Sequence, residues 1–178
     1  MTSSLPADLL TRLEAVEARL SAHGATERQG LTRPDEGTGE RWEAGQVWAH
    51  LAEFPPYWMS QIRAIMAARA AGRPEPISFG RLKTDPSRLE PIEARRNEDP
   101  AALLRDVQAD LADVRTLGAL SADEWATVGD HPVRGPMTVH TIVERFLVDH
   151  LEEHATQLDE LAEGPPAKGP DAEGPEAA

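Results

Sequence analysis

The spacing of apolar residues predicts four amphipathic helices. Over residues 7 to about 23, Leu9, Leu13, Val16 and Leu20 step by four and three, which puts one apolar stripe on an otherwise polar helix. Ser4 or Leu5 sits at its entry, Pro6 falls in the first turn, where a missing N–H does no harm, and Gly24 suits the exit. The second segment starts near Trp42 and runs to about residue 71. Val47, Leu51, Phe54, Trp58, Ile62 and Ile65 mark its apolar face. Pro55 and Pro56 interrupt it. Proline inside a helix removes a hydrogen bond and clashes with the preceding turn, at about 3 kcal/mol, so a kink or a break is expected there. The third helix opens on Asp99 as N-cap with Pro100 at the first helical position, carries the stripe Leu103, Val107, Leu111 and Val114, and ends near Gly118. Ser121 and Glu124 then have capping-box spacing, the mark of a short helical turn. The fourth helix follows Gly135-Pro136, takes Thr138 as N-cap and continues to about Glu163.

Residues 24 to 41 have no period and many turn formers, and read as a loop. The GTG within them lacks the later glycine and the preceding strand of a dinucleotide fingerprint. Residues 72 to 98 form a second long connection, of a length that is usually functional or flexible. Ile77, Phe79, Leu82 and Leu89 indicate that parts of it pack onto the body. No run alternates with period two for long enough to predict a strand, and there is no solenoid repeat. The expected class is all-α: an antiparallel four-helix bundle with two long connections over residues 1 to 163. The tail from 164 to 178 has seven Gly or Pro in 15 residues, so it is expected to be disordered.

Composition narrows the function. A chain of 178 residues fits one domain with a real core. Lys and Arg number 18 against 31 Asp and Glu, a formal net charge of -13, which argues against a sequence-independent nucleic-acid binder. With no cysteine, a disulfide scaffold, a Cys zinc ribbon, an iron–sulfur site and a cysteine nucleophile are excluded. No apolar run approaches the roughly 20 residues of a membrane span. The opening MTSSLPADLL lacks a basic region followed by an apolar stretch, so the expected location is cytoplasmic, with no membrane partner.

The histidines carry the candidate chemistry. The seam of the fourth helix reads Val139, Ile142, Val143, Phe146, Leu147, His150, Leu151, His154, Leu158 and Leu161. Glu144, Arg145, Asp149, Glu152, Glu153, Thr156, Asp159 and Glu160 fall opposite. His150 and His154 therefore occupy core positions. Their i, i+4 spacing puts both imidazoles on one face with Cβ atoms about 5–6 Å apart, close enough to converge on one ion. His50 lies between Val47 and Phe54 on the inward face of the second helix and can meet them across the bundle. Three neutral imidazoles leave a coordination position open, the catalytic arrangement rather than the structural one. The competing reading is three core histidines bonded to backbone carbonyls, and the residue pattern alone leaves both open. His23, His131 and His140 fall at helix ends or in loops and read as ordinary surface histidines.

His150-Leu-Glu-Glu153-His154 also fits the inverted zincin pattern, with Glu153 as general base. That match is short, Glu153 falls on the polar face, and no strand is expected to align a peptide. Five of the eight aromatic residues, Trp42, Trp48, Phe54, Tyr57 and Trp58, cluster in one stretch. They read as core and loop packing or as an apolar wall for an organic substrate.

Two segments together resemble a known family. Trp42-Glu-Ala-Gly-Gln-Val-Trp-Ala-His50-Leu-Ala-Glu53-Phe resembles the Trp-to-His-Leu segment of the DinB-like (YfiT-like) superfamily of metal-dependent enzymes. Met137-Thr138-Val139 followed by His150-x-x-x-His154-x-x-Gln157 is similar to that family's last helix. The resemblance covers about residues 7 to 163 and departs from the family pattern at Pro55-Pro56. It implies a four-helix bundle and a divalent metal, zinc or nickel, held by His50, His150 and His154. It also implies a small-molecule substrate, with a small intracellular thiol as cosubstrate in some relatives, which are S-transferases or isomerases, and it is compatible with a homodimer. Glu53, one turn from His50, is then a candidate for orienting that ligand or accepting a proton, and Gln157 for contacting the site. A metal-binding stress-response or ligand-binding protein without turnover is the alternative function. A helical interaction module without metal is the third.

Overall fold

The four leucine and valine residues of the first predicted stripe, Leu9, Leu13, Val16 and Leu20, are all buried on α1 (Ala7–Gly24). Burying such a side chain is worth about 1.5–3 kcal/mol, more than any cap, so the stripe decides how this helix docks. The computed structural model describes residues 4–82 and 85–163. The tail from residue 164, expected to be disordered, lies outside them.

The other main helices are α2 (Ala44–Ala70), α4 (Pro100–Arg115) and a last helix in three parts. These parts are α6 (Val139–Val143), a π-type turn at Glu144–Val148, and α7 (Asp149–Glu160). The caps predicted for the later helices form, but α1 has Pro6 itself at the N-cap and no side-chain cap, so neither Ser4 nor Leu5 takes that place. Asp99 accepts from Ala101 N, Thr138 from Thr141 N, and Ser121 and Glu124 close a capping box at α5 (Ala122–Trp125). A short 3-10 turn, Thr116–Ala119, follows α4.

α1 packs on α4 and α7, and α2 packs on the same two helices, so α1 and α2 face each other across the diagonal. The side-chain pairs give the directions. Along α1, Arg12 meets Asp149 and Glu152, and Arg19 meets Asp159, so α1 runs parallel to α7. Glu17 meets Arg115 and Ser21 meets Gln108, so α1 is antiparallel to α4. Trp58 meets Phe146 and Trp42 meets His154, so α2 is antiparallel to α7. Arg63 pairs with Asp113, and the start of α2 abuts Arg96 just before α4, so these two run parallel. A parallel neighbour cannot be reached by a tight turn, which is why the α2–α4 connection is long. A Cβ on Gly45 would lie 2.0 Å from the Arg96 carbonyl oxygen, so this helix start takes only glycine at that contact.

Four sequence expectations are corrected. First, α2 is one uninterrupted helix through Pro55 and Pro56. Its flanking residues Leu51, Trp58, Met59, Ile62 and Ile65 are all buried, and their packing outweighs the hydrogen bonds the prolines delete. Second, short strands exist. β2 (Ile77–Ser78) pairs parallel with β3 (Val128–His131), which pairs antiparallel with β4 (Gly135–Thr138), in the register Val128 to Thr138 and His131 to Gly135. β1 (Arg28–Gln29) pairs with β5 (Ala162–Glu163). These strands are two to four residues long, too short to show a period-two signal. Third, the connection after α2 contains a helix, α3 (Pro86–Arg95). Fourth, the last helix stops at Glu160, because β5 takes up the following residues. Among the described residues no helix is long and apolar enough to cross a membrane.

Candidate metal centre

His50, in the first half of α2, and His150 and His154, on α7, meet where these antiparallel helices cross. His50 is 1 % exposed and His154 4 %, while His150 is half-buried. Each offers one ring nitrogen to a common point, and those three atoms lie within 4.8 Å of one another. The rings are nearly perpendicular, with centroids 4.9, 4.9 and 4.3 Å apart. His50 Nε2 and His150 Nε2 are 3.0 Å apart. Two ring nitrogens that face each other this closely must share a proton or a cation. Tetrahedral zinc with Zn–N bonds of about 2.0–2.1 Å sets its ligands about 3.4 Å apart, so the donor set and its spacing fit a divalent ion.

Neighbouring groups fix the rings. His154 Nδ1 lies 2.7 Å from Gln157 Oε1. That pairing puts the proton on Nδ1 and turns the Nε2 lone pair toward the common point, the usual support for a histidine ligand. Phe54 stacks on His150, with centroids 3.5 Å apart, and Trp42 lies parallel to His154 at 6.0 Å. Glu53 Oε2 is 3.5 Å from His50 Nδ1, and Glu53 Oε1 is held by Arg81, which also lies over the Tyr57 ring. Burial raises the Glu53 carboxyl above the usual carboxylate range, and the Arg81 hydrogen bond opposes that rise. Glu53 does not reach the cavity wall among the described residues.

The histidines form part of the wall of a cavity of about 700 Å³. Trp42, Phe54, Trp58 and Phe146 supply apolar surface, Arg81, Arg88, Arg134 and Arg145 positive charge, and Asp35, Glu40, Asp149 and Glu153 negative charge. Glu153 is exposed and lies on the cavity wall, apart from the histidine cluster, which does not include it.

Two histidines read as surface residues are in fact buried. His131, on the β3–β4 hairpin, stacks against Trp58 and Phe146 and lines the cavity. Burial, and then Arg134, lower its pKa below the ordinary value. His23 closes α1 with Nε2 at 2.7 Å from Asp159 Oδ1. His131 has no periodic signal, because it is buried by partners distant in sequence, whereas His23 stands three residues past Leu20 on the α1 stripe, a spacing that already marks it as inward-facing. His140 stays half-buried beside Trp125. The arginines of the cavity were also beyond sequence reasoning, since all but Arg145 come from connections or from α3.

No protein-family model matches this chain, and no curated protein matches it. Solved structures do. YfiT from Bacillus subtilis, described as a probable metal-dependent hydrolase with an unusual four-helix bundle topology, aligns at TM-score 0.66 with 18% identity, over 90% of this chain and 89% of that one. An uncharacterised protein from Escherichia coli UTI89 aligns at TM-score 0.58 with 12% identity, over 86% of this chain and 90% of that one. The colibactin self-resistance protein ClbS, solved in complex with a dsDNA, aligns at TM-score 0.55 with 11% identity, over 90% and 96%. With its helices crossing as described and its three histidines gathered at one crossing, the chain has the fold of the DinB/YfiT-like four-helix bundles.

Proposed function

We propose that this chain is a metal-dependent enzyme acting on a small molecule, with His50, His150 and His154 as the ligands of a zinc or nickel ion. The observation that carries this reading is the convergence of three imidazole nitrogens within 4.8 Å of one another on the wall of a 700 Å³ cavity. A structural site would be closed by side chains; this one opens on space for a substrate, which favours turnover over the binding-protein reading.

His50, His150 and His154 would hold the ion, which would lower the pKa of a water or a small thiol and so supply a nucleophile at neutral pH. The reaction is then hydrolysis, or transfer of the thiol to an electrophilic substrate. The chain's own residues do the rest. Gln157 holds the proton of His154 on Nδ1. Glu53, anchored by Arg81, sits against His50 Nδ1 as a positioning residue. Phe54 and Trp42 stop the rings of His150 and His154 from turning. Trp58 and Phe146, stacked with centroids 3.8 Å apart, keep water from one side of the cavity.

The test is elemental analysis of tag-free protein beside a His150→Ala/His154→Ala double variant. About one zinc or nickel ion per chain, lost in the variant, is expected. No metal even after divalent ions are added back would leave three core histidines and overturn the reading.

A further inference from the structure

Arg88, on α3, is 8 % exposed and lines the cavity. Among the described residues its guanidinium makes one ion pair, with Glu40 Oε2 at 3.6 Å, and that distance is too long for a hydrogen bond. Its other contact is the Trp42 ring, 5.0 Å away, and a cation over an aromatic face uses none of its N–H groups in the ring plane. A guanidinium carries five N–H donors in a planar fork, and none of the Arg88 nitrogens is both sealed from solvent and unpartnered, so its free donors are open to a ligand. Arg81, the other buried arginine of this wall, is filled by Glu53. Arg88 is not filled in this way, and the cavity is the space its donors face.

Its position relates it to the histidines. Arg88 covers Trp42, and Trp42 lies parallel to His154, so one indole ring neighbours both the guanidinium and a candidate metal ligand. Elsewhere on the wall, Arg134 and Arg145 have no carboxylate partner among the described residues, although the chain holds 31 acidic residues against 18 basic ones. Asp35, Glu40, Asp149 and Glu153 line the same wall, so the cavity is mixed in charge and its selectivity rests on where single guanidinium groups stand rather than on a net field.

We propose that this cavity takes a substrate with a carboxylate on an apolar or aromatic body, the carboxylate held bidentately by Arg88. The fork geometry of one guanidinium matches a planar carboxylate. Trp58, Phe146 and Val133 supply the wall for the apolar body. The proposal rests on the small-molecule enzyme reading above and specifies its substrate class.

The experiment titrates the full chain with 3-phenylpropionate, its neutral amide 3-phenylpropionamide, and inorganic phosphate, read by calorimetry and tryptophan fluorescence. The chain is used both metal-loaded and stripped with chelator. The carboxylate should bind about tenfold or more tighter than the amide, and tighter than phosphate, in both forms. Arg88→Met should erase the preference, and Glu40→Gln, which removes the competing charge, should strengthen it several-fold. Equal binding of acid and amide, or phosphate binding as tight as the acid, would overturn the proposal. So would an unchanged preference in Arg88→Met, or in Glu40→Gln if the methionine variant does not fold. A preference present with metal and absent without it would mean that the carboxylate ligates the ion, which sinks the role of Arg88 and leaves the metal reading standing. A preference retained in a chain that binds no metal would do the reverse.

Discussion

The proton on His154 Nδ1 decides which nitrogen of that ring is available, and Gln157 decides where the proton sits. Gln157→Leu keeps the size of the side chain and removes the acceptor. Loss of such a supporting contact typically weakens metal affinity about 10–100-fold, which a competing chelator would read, while the circular dichroism of the helices stays as in the parent. His131 makes a second prediction at this scale. Its pKa is lowered in the fold by burial and by Arg134, so it stays neutral inside while the unfolded chain takes up a proton. Stability from this group is complete above the unfolded value of about 6.5 and is lost as pH falls through the lower folded value. His131→Gln should flatten that part of the pH–stability curve, measured by denaturant titration at several pH values. An unchanged slope would show that the ring is not shielded.

At the scale of elements, two departures from regular helix matter. The π-type turn at Glu144–Val148 adds a residue just before His150, and Phe146, Leu147 and Val148 are buried in succession. Val148, which lies outside the seam read from sequence, is thus buried with its neighbours. The turn lets Phe146 face Trp58 while His150 still faces His50. On α4, Asp110 stands between Asp106 and Asp113, each of which has an arginine partner, Arg95 and Arg63. Desolvation and its two acidic neighbours push Asp110 up to about 6. A raised carboxyl destabilises the fold once the unfolded chain ionises, so the penalty grows from about pH 4 and is complete above pH 6. Asp110→Asn should therefore stabilise at pH 7 by up to about 1 kcal/mol, the group being half-exposed and screened by solvent. That gain should vanish at pH 4, as a pair of thermal melts would record.

For the molecule as a whole, the three histidines bridge α2 and α7, so an ion held by them ties the bundle together. A ligand that binds only the folded state stabilises it by mass action, by about 2.7 kcal/mol at a concentration 100 times its Kd. Zinc or nickel should raise Tm, chelator should lower it, and His50→Ala should abolish both responses. A Tm indifferent to both metal and chelator in the parent would argue that nothing binds between the helices.

The amphipathic stripes, the caps at Asp99, Ser121 and Thr138, and the inward placing of His50, His150 and His154 were legible from the chain alone. Each is set within one helix, where residues three and four apart share a face whatever lies beyond. What the bundle topology decided is of another kind. The continuity of α2 through two prolines, the three-stranded sheet, the burial of His131, and the arginine-lined cavity all depend on contacts between residues far apart in sequence. Local propensity can be outweighed by such contacts, and a strand of two to four residues has too few positions to announce itself. The sequence alone therefore determined which residues face inward on each helix. Only the tertiary structure decided which of them meet, because that choice rests on how helices cross and loops return rather than on the period of any one segment.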